Sequence, residues 1–160
     1  MSSSTHAISP SLGLLVRDGI ARATAVIGLA GVALIHLLDA PGSFASAPYK
    51  GWLYVALILG SMLTAATLVR GSDARAWAAA ALLPLGAIVA FVISRTVGLP
   101  QGADDIGNWS ESLGLASVFV EGCVVALSAA MLMEKAGFAA SMPRGPLRRP
   151  SPRPAFLCSR

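Results

Sequence analysis

A chain of 160 residues, 55% hydrophobic and only 12% charged, is suited to lipid rather than water, because soluble domains carry about 25% charged residues. That composition, with a mean hydropathy of +0.70, excludes a DNA-reading module, a disordered acidic tail and an ordinary cytosolic enzyme. The formal charge of +4 therefore does not point to nucleic acid; membrane lipids are the expected partners, and the position of each charge matters more than the sum.

Residues 1–18, Ser-rich with Pro10, are expected to form an unstructured cytoplasmic N-terminus. A membrane span needs roughly 20 mostly apolar residues to cross about 30 Å of hydrocarbon. Four stretches within residues 19–135 qualify: 20–38, with Arg22 one turn inside it; 51–69, without any charge; 76–94; and 113–133, interrupted by Glu121. None alternates polar and apolar residues, so a closed barrel is excluded and the backbone must satisfy itself as helices. Residues 136–160, rich in Pro and Arg, read as a disordered basic cytoplasmic tail lying near anionic headgroups. A rival reading takes the first span as a cleaved secretory signal, since Phe44-Ala45-Ser46-Ala47 has the small-x-small spacing. Pro48 directly after that point opposes cleavage, and the span is retained. The expected fold class is all-α: a polytopic membrane protein built as an antiparallel four-transmembrane-helix bundle.

Lys and Arg placement predicts the orientation. Arg17 and Arg22 open the first span, Arg70 and Arg75 flank the second connection, and Lys135 and five arginines follow the fourth span. The other two connections hold Lys50 and Arg95 against Asp39, Asp104, Asp105 and Glu111. Both termini are therefore placed in the cytoplasm and two acidic loops outside. Phe44, Tyr49, Trp52, Tyr54 and Trp109 by the outer loops, and Trp77 at the cytoplasmic start of the third helix, read as interfacial anchors.

Helices immersed in lipid approach closely through small residues. Ala56, Gly60 and Thr64, then Gly86, Ala90 and Ser94, then Gly122, Ala126 and Ala130 recur at spacing four, with Thr24 and Gly28 as a shorter version. Gly60, Gly86 and Gly122 are thus the predicted helix-packing positions. Such ridges serve equally for packing within one chain, for a homodimer or for a larger membrane complex. Pro84 frees the carbonyl of Ala80 and is expected to bend the third helix.

Glu121 lies about 12 Å below the outer end of its span, where a charge costs on the order of 3 kcal/mol. It must face the interior, find a partner or carry a proton, and Ser117 and Ser128 share its face. Such carboxylates are proton or cation sites by default; the competing reading is a neutral Glu serving as structural glue. His36 and Asp39 share a face near the exit of the first helix, and Arg95 closes the third, where the dipole favours a cation. Singly, these are interfacial anchors and a loop cap. With Glu121 they become the candidate ligand- or proton-binding residues of an outward-facing polar pocket. Arg95 lies nearer the surface, so a direct pair with Glu121 would require it to reach downward.

No metal site and no cofactor is expected. A His and two or three carboxylates suffice for a divalent metal, but HxxxH spacing is absent and His6 sits in the N-terminal segment. Residues 102–108 lack the spacing of a calcium loop, and Asn108-Trp109-Ser110 is a short sequon match. There is no phosphate-binding Gly loop and no nucleophile elbow. Cys123, inside a span, and Cys158, in the tail, cannot pair. No catalytic residue is assigned.

His36 with Asp39, the string Ser94-Arg95-Thr96-Val97-Gly98-Leu99-Pro100, Trp109 with Glu111, and Glu121 together resemble small four-helix integral membrane proteins of bacteria. The resemblance covers residues 21–133 and implies a multi-pass inner-membrane protein without assigning a reaction. Two functions follow: a non-enzymatic, transporter-like or sensory protein whose pocket binds a proton, cation or small ligand, or an accessory subunit packed on a larger membrane complex. A membrane enzyme is a third and weaker reading.

Overall fold

The computed structural model describes residues 10–141; the start of the chain with His6 and the Pro- and Arg-rich tail with Cys158 lie outside them. The described residues form four α-helices, α1 (Pro10–Ser46), α2 (Pro48–Arg70), α3 (Ala74–Thr96) and α4 (Ser112–Ser141), and one 3-10 turn at Ala103–Asp105. Each α-helix is long and apolar enough to cross a membrane. Even α2 and α3, with 23 residues each, reach about 35 Å at 1.5 Å per residue.

The helices overrun the apolar stretches that predict them. α1 has 37 residues and starts at Pro10, a residue suited to a first turn because its missing N–H is unpaired there in any case. Residues 10–18 are thus helical rather than unstructured. At its other end α1 passes through Pro41 to Ser46, and the expected loop at 39–50 shrinks to Ala47, extended at φ −155° and ψ 101°, before Pro48 opens α2. Hydrocarbon thickness limits the apolar run, not the helix: Pro41 removes one backbone hydrogen bond without ending the helix. α4 likewise continues beyond residue 136 to Ser141, the last of the described residues.

Contacts run round a ring, α1 on α2, α2 on α3, α3 on α4 and α4 back on α1, and the α2–α3 seam is the thinnest of the four. Arg22 meets Leu68 and Val69, His36 meets Tyr54, and Phe44 meets Trp52. The start of α1, the end of α4 and the α2–α3 turn therefore share one end of the ring, and the Ala47 link and the long 97–111 loop share the other. Ile27, Leu34, Leu63, Leu82 and Phe119 are exposed on the outside, the reverse of a water-soluble surface.

The half nearer the chain ends is a dry plug of Leu29, Leu68, Trp77, Ala80, Val124 and Met131. Trp77 is not an interfacial anchor: it is fully buried. Its indole N–H donates to Ser72 Oγ at 2.9 Å, and Ser72 donates to Asp18 at 2.6 Å. α1 and α4 overrun the α2–α3 turn and pair there through Arg17 and Glu134, so a ring one turn into α3 lies inside the ring of helices. Cys123 sits on the outside of α4.

Close approach falls at Gly28, of the shorter ridge, and at Gly51, which belongs to none of the ridges. A Cβ on Gly28 would sit 2.4 Å from Val124 Cγ2, and one on Gly51 2.4 Å from the Phe44 ring. Gly60 packs on Leu83, but Gly86 and Gly122 have nothing within 4 Å. Gly86 and Gly122 thus do not make the contacts within the chain that their spacing suggests. Spacing four keeps residues on one face and does not say which way that face turns.

Candidate functional site

In the long-loop half the inward stripes turn polar. Buried positions on α1 run Leu29, Val32, Ala33, His36, Ala40 and Ser43, and on α4 Ser117, Glu121, Val124, Ser128 and Met131; steps of three and four keep one helix face inward. Between the four helices they leave a cavity of about 520 Å³, within the size range of small-molecule sites.

Glu121 forms its floor and is 1% exposed. Ser117 Oγ donates to Glu121 Oε1 at 2.9 Å, and His36 Nε2 lies 3.7 Å from the same oxygen, too far for a direct hydrogen bond. His36 Nδ1 is 2.9 Å from the Val32 carbonyl oxygen. A carbonyl only accepts, so Nδ1 carries the hydrogen and a neutral His36 turns an acceptor, Nε2, toward Glu121. Tyr54 meets the imidazole edge-on with ring centroids 4.7 Å apart. The floor is therefore rich in acceptors.

An ion-pair lattice roofs the cavity. Lys50 Nζ reaches Asp105 Oδ2 at 2.8 Å, Arg95 Nη1 reaches Asp105 Oδ1 at 2.8 Å, and Arg95 Nη2 reaches Glu111 Oε2 at 2.8 Å. The guanidinium also lies 4.8 Å over the Phe91 ring. Gly98, at φ +81°, ends α3 in the left-handed conformation that favours glycine. The loop then returns, and the Gly107 N–H donates to the Arg95 carbonyl at 2.9 Å. Burial alone would raise the Asp105 carboxyl; hydrogen bonds and charge from Lys50 and Arg95 outweigh it and hold the group below the usual carboxylate range.

His36, Asp39, Arg95 and Glu121 all line this one cavity. His36 and Glu121 meet at the floor, while Arg95 belongs to the roof and pairs with Asp105 and Glu111 instead of Glu121. Lys50, Asp105 and Glu111 are roof residues that sequence reasoning treated as loop charges, although their opposite signs on facing connections carried a signal. Tyr54 looked like an interfacial anchor; only the one-residue link at Ala47 brings it level with His36.

Lys50 and Arg95 are matched by Asp105 and Glu111, whereas Asp39 and Glu121 have no Lys or Arg partner among the described residues. Nor do the described residues hold a group of three side chains able to ligate a metal. Below Glu121 lies the apolar plug around Leu29, Val124 and Met131. No family model matches the chain, and no match to it is found among curated proteins or solved structures.

Proposed function

We propose that the chain is a multi-pass protein of a bacterial inner membrane, with four antiparallel spans and both termini cytoplasmic, whose outward cavity binds a proton, a cation or a small ligand. The role is transporter-like or sensory, and no reaction is assigned to it. One observation carries this reading: a buried carboxylate without a Lys or Arg partner, Glu121, faces an acceptor nitrogen of His36 at 3.7 Å on the floor of a cavity. Intramembrane carboxylates of that kind are functional sites by default. The orientation is supported by Arg17, Arg22, Arg70 and Arg75 near one end and the acidic loop at the other, by the positive-inside rule.

Native mass spectrometry of the protein released from gentle detergent tests the site. Glu121→Gln keeps the side chain's shape and an oxygen for Ser117. Loss of a bound species in the variant, with membrane insertion retained, is the expected outcome; the same bound species in both proteins sinks the reading.

A second reading, an accessory subunit of a larger membrane complex or a homodimer, is favoured by the α4 ridge, where Gly122 has nothing within 4 Å and Ala126 and Ala130 are exposed. It predicts that Gly122→Leu reduces recovery of a complex while Glu121→Gln is silent.

A further inference from the structure

Toward the loops the cavity is crossed by ion pairs, and toward the bilayer its wall is thin. Its roof is cross-linked by Lys50, Asp105, Arg95 and Glu111. Its wall between α2 and α3 is built from Leu53, Ala56 and Leu57 on one side and Leu83, Gly86 and Ala90 on the other. Ala56, Gly86 and Ala90 line the cavity and are also exposed, and a Cβ on Gly86 would meet nothing within 4 Å. This is the thinnest helix seam. It lies at mid-helix, where a spanning protein meets hydrocarbon rather than water.

The floor selects for donors. The Glu121 oxygens and the Nε2 of a neutral His36 accept, and an ammonium has three donors and no acceptor. A buried cation needs a carboxylate partner, and Glu121 has no Lys or Arg partner among the described residues. An anionic head would meet two cations lining the cavity, Lys50 and Arg95, that are already paired with Asp105 and Glu111. A volume of about 520 Å³ also exceeds what a bare ion needs.

We propose that the ligand is a single-chain amphiphile with a protonated amine head, which enters from the bilayer between α2 and α3. Its ammonium rests on Glu121 and His36, and its chain lies in the wall beside Gly86 and Ala90. This deepens the reading of the pocket given above and rests on it.

The test is equilibrium dialysis of the full chain in lipid nanodiscs with decylamine, ethylamine and decanol, counting only saturable binding. The wild type is expected to hold decylamine at least about tenfold more tightly than ethylamine, from the buried chain, and to hold no decanol. Gly86→Phe and, one turn on, Ala90→Phe plug the wall; each should weaken decylamine at least about tenfold more than ethylamine, with circular dichroism showing that the variant is folded. Glu121→Gln should lose both amines. The proposal is overturned if both plugs leave the chain-length preference intact, if the plugs abolish ethylamine too, or if decanol binds as well as decylamine. If neither amine binds a protein that still loses its co-purified species in Glu121→Gln, the amine fails and the pocket stands. If there is no such species either, both fail.

Discussion

The contact between Gly28 and Val124 sets how closely α1 and α4 cross beneath the cavity, and Gly28→Ala tests it. The new Cβ would lie 2.4 Å from Val124 Cγ2, about 1 Å inside ordinary van der Waals contact. Val124 is 2% exposed, and a valine on a helix has essentially one χ1 rotamer, so the methyl cannot swing away and the helices must separate. Overpacking of this kind costs about 1–3 kcal/mol, from which the helix preference of Ala over Gly subtracts up to about 1. A net loss of about 1–2 kcal/mol is expected. Thermal unfolding followed by circular dichroism in detergent reads it, with Gly122→Ala as the comparison: Gly122 has open space, so its variant should be neutral or slightly stabilised. In Gly28→Ala/Val124→Ala the space reappears, and the double variant should lose less than the two single losses added together. Gly28→Ala as stable as Gly122→Ala, or strictly additive losses, would refute the close crossing.

Two further outcomes concern the ends of the ring. Asp105 has a folded-state carboxyl held below its ordinary value of 3.8, so its stabilisation of the roof is complete above that value and disappears as the pH falls through the lower folded one. Asp105→Asn should therefore melt earlier than wild type at neutral pH and flatten the acid limb of a melting-temperature profile; parallel acid limbs would refute the assignment. At the opposite end, Arg22 donates to the Leu68 carbonyl at 2.6 Å and to that of Val69, serving the otherwise unpaired last turn of α2. Arg22→Ala should cost about 1–3 kcal/mol and speed hydrogen exchange in the residues around Leu68, and unchanged exchange there would count against this role.

How much of this was legible in the sequence follows from what lipid does and does not punish. A charge inside an apolar run is expensive wherever it points, so Glu121 stood out at once, and Ser117 and Ser128 followed from its face. His36, Asp39 and Arg95 are legible for a different reason, as polar residues gathered at the outer ends of the spans, and there Arg95 serves the roof. Helix ends were less legible because no penalty marks them: α1 passes through Pro41 and starts at Pro10 while the apolar run covers only its middle. Small residues were the least legible of all. In water an exposed Leu and a buried Leu differ in free energy, and the pattern reveals the inner face. In hydrocarbon both faces are apolar, so Gly28 against Val124 and Gly122 against nothing look alike in sequence. What separates them is the rotation of each helix about its own axis. On α4 that rotation is set by the one residue that must be kept from lipid: turning Glu121 inward carries Ser117, Val124 and Ser128 in with it and leaves Cys123, Ala126 and Ala130 outside.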